Sequence, residues 1–398
     1  MFERLEPVVP DPILGLMAAF RADPDRRKVD LGVGVYRDEH GETPVLGSVR
    51  HAENALLAGQ TTKTYVSSAG NVPFNQAMEQ LVLGAAHPAL TAGRVRSVQT
   101  PGGCGALRLG AELIRAVAPD AVVHVSTPTW ANHVPLLSSS GLKLERYPYY
   151  DPATGGVQFD AMTAALEQLP ARAIVLLHAS CHNPTGADLS HAQWRELLGL
   201  VKRRQLVPFI DMAYQGLGDG IEADAFGLRL FCAELPEVLF AVSCSKNFGL
   251  YRERTGSLHL VCESIAAADA TFTHMVRIAR GIWSMPPDHG AAIVHAILSD
   301  ATLSRQWAEE VETMRWRIQG LRRDLLQQLQ DHCPQRDFSF IATQRGMFSF
   351  LGISPAQVRA LREHHHVYMM DDSRMNVAGL RGENLEYFAR AVAQVLAG

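Results

Sequence analysis

Only five of the 37 basic residues in this 398-residue chain are lysines, so chemistry that needs a primary amine has few candidates. Lys28 lies in the charged run DRRK and Lys202 in KRR, and both read as solvated surface. Lys143 alternates with apolar neighbours in GLKLERY and belongs on the exposed face of a strand, while Lys63 sits in the polar run TTKTY. Lys246 differs. An apolar run, VLFAVS (238–243), leads directly into Ser-Cys-Ser-Lys-Asn-Phe-Gly (243–249). A lysine in a small-residue turn at the end of a strand is poised in a cleft. Desolvation there lowers its proton affinity and makes it a nucleophile toward carbonyls, which is Schiff-base chemistry.

Its sequence companions narrow the chemistry. TPGGCGALRLGAELIRAVA (100–118) is a glycine-rich turn entering a helix with Leu107, Leu113, Ile114 and Val117 on its apolar side. The free N–H groups of a helix N-terminus bind phosphate, although most such turns are only tight turns. Arg254, eight residues after Lys246, could take the same phosphate bidentately. Asp211 directly follows an apolar strand, where a carboxylate could face a ring nitrogen; alone it would more commonly be a cap. Tyr214, three residues on, could place a phenol on the same side. A lysine, a phosphate cradle and a carboxylate at sheet ends together suggest pyridoxal phosphate.

The elements that must hold these residues are legible as short apolar runs alternating with helical patterns: 121–126, 173–178, 206–210, 238–243 and 257–262. Continuous apolar strands separated by helices predict an α/β fold with a mostly parallel sheet covered on both faces. Ligands collect at the C-terminal edge of such a sheet. HNPTG (182–186), Asp211 and residues 243–249 all follow strands directly. From 301 to 330, Leu303, Trp307, Val311, Met314, Ile318, Leu321, Leu325 and Leu329 step by three or four, a core-facing helical stripe. Beyond it, residues 338–352 read as strands of a second domain closed by a C-terminal helix. The first 44 residues have too little periodicity to fold alone. A net charge of -4 leaves no footprint for nucleic acid or an anionic membrane. No membrane span or secretory signal is read, and the expected setting is the cytoplasm. The six scattered cysteines, with no CxxC pair, are expected to be reduced thiols.

LGVGVYRDE (31–39), TPGG followed by GALR, HNPTG, DMAYQG (211–216) and SKNFGLYRER (245–254) stand in one order along the chain. With them the chain resembles the class I aminotransferases of the aspartate and aromatic amino-acid branch, from DPILGL (11–16) to RMNVAGL (374–380). It is most similar to the bacterial aromatic amino-acid (tyrosine) enzymes. The resemblance implies the fold-type I architecture of pyridoxal-phosphate enzymes, with a large coenzyme-binding domain at 45–315. A small α+β domain would combine residues 1–44, which include an N-terminal arm, with 316–398. It implies a homodimer with shared active sites, and amino-acid and 2-oxo-acid substrates.

By the same resemblance Lys246 would hold the coenzyme and shuttle the α-proton, and Asp211 would pair with the pyridinium nitrogen. Asn183 and Tyr214 would hydrogen-bond the ring phenolate oxygen, Trp130 from TPTWANH would cover one face, and Ala213 would pack on the other. Gly103, Cys104, Ser243, Ser245 and Arg254 would cradle the phosphate, completed by Tyr65 of a neighbouring subunit. Arg374 would clamp the substrate α-carboxylate with help from the Gly34 N–H. Arg280, also from the neighbouring subunit, would meet a distal carboxylate. Taken singly, Trp130 would be core, Arg280 a surface charge, and Arg374 an ion-pair partner of Asp371 or Asp372. Their shared order favours the functional roles. His178 and His182 are expected to orient neighbours, and the run 364–366 reads as surface, not a metal site.

Two departures matter. Cys104 stands where the family has Thr or Ser, and a thiol is a poor hydrogen-bond donor. Trp283 and Met285 make the stretch beside Arg280 larger and more apolar than a dicarboxylate needs, which suits a pocket accepting an aromatic ring as well. Arg37 and Thr43 would also suit aspartate. The expected reaction is ping-pong transamination of tyrosine, phenylalanine or aspartate with 2-oxoglutarate. A strict aspartate aminotransferase is the near alternative, and a pyridoxal-phosphate lyase, decarboxylase or racemase the farther one. A coenzyme-sensing regulator would require a fused DNA-binding domain.

Overall fold

The computed structural model describes residues 2–7 and 12–397; Asp11, which opens the DPILGL block, lies outside them. Seven strands form the main sheet: β1 (Val95–Pro101), β2 (Val122–Thr127), β3 (Lys143–Pro148), β4 (Ile174–His178), β5 (Val207–Met212), β6 (Val238–Ser243) and β7 (Thr255–Val261). Their order is β1-β7-β6-β5-β4-β2-β3. All neighbours are parallel except β7, which is antiparallel to both β1 and β6. Every residue of β6 and β7 is buried, and β6 accordingly reads as a nearly continuous apolar run.

Helix α1 (Gly102–Val117) starts where β1 ends and presses onto the sheet. Its Gly110 permits the close approach, since a Cβ there would stand 2.5 Å from the Phe209 ring. Helix α2 (Ile265–Trp283) adds Ala268, Met275 and Ala279 to the same core, with Leu107, Val125 and Phe209. Helix α3 (Ala301–His332) buries Trp307, Val311, Met314, Ile318, Leu321, Leu325 and Leu329, while Leu303 is only half-buried.

The chain divides into two compact units, residues 44–316 with 344–346, and residues 1–43 with 317–343 and 347–398. The smaller unit has its own core, including Leu325, Phe338, Val358, Met375 and Phe388. Two short sheets serve it: Val29–Asp30 parallel to Val367–Tyr368, and Phe348–Phe350 antiparallel to Arg374–Asn376. A helix, Gly382–Ala397, closes the chain.

The expected strand pair across 338–352 is half corrected. Phe340–Thr343 is a short helix and only Phe348–Phe350 is a strand. Asp337 accepts the Ser339 N–H at 2.8 Å, and Phe338 and Ile341, three apart, are both fully buried. One-sided burial at helical spacing therefore overrides alternation. Among the described residues no helix is long and apolar enough to cross a membrane.

Candidate active site

The turn after β6 is rigid before any side-chain chemistry is considered. Cys244 N–H donates to Thr255 O (3.0 Å), Ser245 N–H to Ser243 Oγ (3.3 Å) and Gly249 N–H to Lys246 O (3.1 Å). Trp307 of α3 donates its indole N–H to Asn247 O at 2.8 Å and stacks on Phe248 with ring centroids 4.4 Å apart. Half-buried Lys246 thus has a fixed base, and its Nζ stands 4.6 Å from the centroid of the Tyr214 ring. Burial lowers its pKa, and the Asp211 carboxylate opposes that shift only in part.

Asp211 lies in β5 directly beside His178 of β4. Its Oδ2 is 3.1 Å from His133 Nε2, His133 Nδ1 is 2.8 Å from Thr129 Oγ1, and Thr129 Oγ1 is 3.4 Å from His178 Nε2. A carboxylate only accepts, so His133 Nε2 donates to Asp211. Burial pushes the Asp211 carboxyl up, but the His133 hydrogen bond, with the neighbouring imidazoles and Lys246, brings it below its ordinary value. Burial also holds His178 neutral, its pKa lowered to about 3. His182 is fixed between Ser126 Oγ (3.0 Å) and Thr185 Oγ1 (2.9 Å). Trp130 meets His133 edge-on at 5.2 Å.

Asn183 and Tyr214 are carried on two loops, each wired by one acid. Asp188 accepts the N–H groups of Cys181 (2.6 Å) and His182 (2.8 Å). Asp224 accepts those of Gly216 (2.8 Å), Gly218 (2.9 Å) and Asp219 (2.7 Å). Burial pushes both carboxyls up to about 6 against the pull of these N–H groups. Neither acid was singled out from the sequence, and neither was His133. Their partners lie 4 to 78 residues away and no local pattern announces them. Asn183 is buried, and its Oδ1 has no hydrogen-bond partner among the described residues. Ala213 is half-buried.

The start of α1 forms a cradle. Its N-cap, Pro101, offers no side-chain cap. Gly102 has φ +69°, and a Cβ there would lie 2.5 Å from the Arg254 guanidinium. A Cβ on Gly256 would lie 2.6 Å from the Gly102 backbone, and one on Gly103 3.1 Å from Ser243 Cβ. Only glycine lets the helix start, β7 and Arg254 converge. Ser243 and Ser245 are buried here, Cys104 is half-buried and Arg254 is exposed. Helix-terminal N–H groups, two hydroxyls and a guanidinium are groups that could hold an anion.

The smaller unit holds a second constellation. Arg374 is 6% exposed, so it is no surface ion pair. Its Nη2 donates to Gly32 O at 2.7 Å and its guanidinium carbon lies 4.8 Å from the Phe348 ring centroid. Asp371 is taken by Arg362 instead (2.6 Å), and Asp372 accepts the Arg374 backbone N–H (2.9 Å). Gly34 stands against the same ring, where a Cβ would be 2.8 Å from Phe348 Cζ. Arg37 pairs with Asp30 at 2.5 Å and Thr43 donates to Tyr36 O at 2.9 Å.

Two surface expectations are corrected. Lys28 donates to Phe20 O (2.9 Å) and Asp23 O (2.6 Å), capping the end of helix Pro12–Ala22. His366 lies between Asp23 (2.7 Å) and Asp25 (3.2 Å). Among the described residues no cluster of His, Cys, Asp or Glu could hold a metal ion.

The family model for aminotransferase class I and II matches residues 26–392. The chain belongs to that family. An aromatic-amino-acid aminotransferase of Pseudomonas aeruginosa is 48% identical, covering all of this chain and 99% of the relative. An aspartate aminotransferase of Escherichia coli is 43% identical with full coverage of both. The crystal structure of an aromatic-amino-acid aminotransferase from Burkholderia pseudomallei, covalently bound to pyridoxal phosphate, superposes with TM-score 0.97 at 44% identity, covering all of this chain and 99% of the other.

This aminotransferase is a pyridoxal-phosphate enzyme, and its residues fit that group. The glycine-lined cradle fits the phosphate of such a ring, and the buried Asn183 carries an amide NH2 that can donate to its phenolate oxygen. Cys104 is the weak point of the cradle. Replacing Cys104 with Thr supplies a hydroxyl donor there, worth about 0.5–1.5 kcal/mol, and is expected to tighten coenzyme binding about three- to tenfold. Titrating coenzyme into apoenzyme checks this, and an unchanged or weaker affinity refutes it.

Proposed function

We propose that this aminotransferase takes its amino group from tyrosine, phenylalanine or aspartate and passes it to 2-oxoglutarate in a ping-pong cycle. One observation carries the reading. The protein presets both a lysine of lowered pKa beside an ionised Asp211 and a buried guanidinium, Arg374, oriented by Gly32 O and Phe348. Bound pyridoxal phosphate supplies the aldehyde that receives the amino group and the ring that accepts the electrons left at Cα.

The protein's residues do the rest. Lys246 Nζ would hold the coenzyme and would move the substrate α-proton. Asp211, kept anionic and oriented by His133, would keep the ring nitrogen protonated. Asn183 and Tyr214 would hydrogen-bond the phenolate oxygen, and Trp130 and Ala213 would pack against the ring. Gly103, Cys104, Ser243, Ser245 and Arg254 bind the phosphate. Arg374 forks the α-carboxylate with the Gly34 N–H beside it.

Tyr65 and Arg280 act on a second copy of the chain in a homodimer. Tyr65 is 89% exposed, Arg280 is exposed at the end of α2, and Phe2, Leu5 and Leu57 are also largely in water. A partner surface would cover such apolar groups. Trp283 packs half-buried against the core of the larger unit, and Met285 is half-buried; together they supply the apolar surroundings for an aromatic side chain.

Mixing holoenzyme separately with tyrosine, phenylalanine, aspartate and glutamate, and following the coenzyme spectrum and released 2-oxo acid, tests the proposal. The aromatic donors are expected to convert the coenzyme at least as readily as aspartate. Conversion by aspartate and glutamate alone would make the enzyme a strict aspartate aminotransferase. No amino transfer from any of the four would point to a lyase or decarboxylase on this scaffold.

A further inference from the structure

Arg322, on α3, is 1% exposed, among the largest fully buried side chains of the protein. Burying a guanidinium costs several kcal/mol unless its N–H groups are all directed at acceptors. Here Nη1 donates to Ile341 O and to Ser349 Oγ, each at 2.8 Å, and Nη2 donates to Phe348 O at 2.5 Å. Two of these three acceptors belong to the strand Phe348–Phe350. That strand pairs with Arg374–Asn376, placing Phe350 opposite Arg374 and Phe348 opposite Asn376.

The Phe348 ring is the shared floor of the carboxylate-binding groups. The Arg374 guanidinium lies over it at 4.8 Å, and Gly34 touches it so closely that a methyl group would not fit. Asn376 donates to Val33 O and Val35 O, both at 2.7 Å, fixing the Gly34 backbone from the other side. Moving the Phe348 backbone by a few tenths of an ångström would shift both the fork of Arg374 and the Gly34 N–H. Arg322 holds that backbone by its carbonyl.

We infer that Arg322 is a positioning residue for substrate carboxylate recognition, acting through Phe348 on Arg374 and Gly34. The inference rests on the reading of Arg374 as the carboxylate clamp. Every substrate of the cycle, amino acid or 2-oxo acid, carries an α-carboxylate. Loss of Arg322 therefore weakens all of them together, while the coenzyme residues, all in the larger unit, keep their contacts.

The experiment compares Arg322→Met, Arg322→Lys, Ser349→Ala and Arg374→Lys holoenzymes for KM, kcat and coenzyme absorbance. Arg322→Met is expected to raise KM for donor and acceptor alike about ten- to hundredfold, with kcat within about threefold and the spectrum unchanged. Arg322→Lys, keeping the charge on a single donor group, recovers part of that loss. Ser349→Ala, which removes the hydroxyl that accepts from Arg322 Nη1, raises KM by a few-fold in the same direction and decides the matter if Arg322→Met does not fold. An unchanged KM in the folded variants, or a fall of kcat and a spectral change alongside KM, overturns the inference. If Arg374→Lys itself leaves KM unchanged, the clamp reading fails instead.

Discussion

Lys246→Ala is expected to leave a folded protein that binds pyridoxal phosphate without a covalent bond and turns over at least about 10⁴-fold more slowly. The turn around Lys246 is held by backbone hydrogen bonds, by the Trp307 indole on Asn247 O and by the Phe248–Trp307 stack, none of which uses Nζ. Removing a cation whose burial disfavours its charged form also relieves a desolvation penalty. The phosphate cradle likewise draws on α1, Ser243, Ser245 and Arg254. Single-turnover formation of 2-oxo acid from phenylalanine or aspartate measures the loss, and a thermal melt with added coenzyme reports retained binding. A variant that transaminates normally would remove Lys246 from the mechanism.

Asp211→Asn is expected to lower kcat about 10²- to 10⁴-fold, the range for removing one charge from a buried, hydrogen-bonded pair. The substitution is nearly isosteric, and the amide oxygen can still accept from His133 Nε2, now 3.1 Å from the carboxylate. The relay through Thr129 to His178 survives, so the effect is electrostatic. A second readout follows from the sign of the coupling. Asp211 raises the pKa of Lys246 against burial, so its neutralisation moves the Lys246 titration in apoenzyme further down. A kcat within about threefold of wild type, or a Lys246 titration that does not fall, would show that the Asp211 charge does not act as described.

Much of the chemistry was readable from Lys246, Asp211 and the GG turn at 102–103, because each sits where a strand or helix begins or ends. Local backbone rules specify such places: β6 ends at Ser243, α1 starts at Gly102, and Asp211 occupies the next-to-last residue of β5. The helical stripe of α3 was equally plain, as its apolar residues face one core side at regular spacing. Residues 338–343 misled, because apolar residues spaced two and three apart fit either period until the core takes a side.

Other features depended on partners distant in sequence. Asp371 and Asp372 are adjacent to Arg374 along the chain, yet Arg374 turns inward to Gly32 O, 342 residues away, and Asp371 pairs with Arg362. His133 reaches Asp211 across 78 residues, and Arg322 reaches Phe348 across 26. β7 lies inside the sheet like its neighbours but runs the other way, a choice a one-dimensional pattern does not encode. Strand ends, glycine turns and apolar periods are local, and the sequence displays them. Whether a charged side chain is buried or solvated, and which acceptor satisfies it, follows from desolvation and hydrogen bonding among segments that only folding brings together.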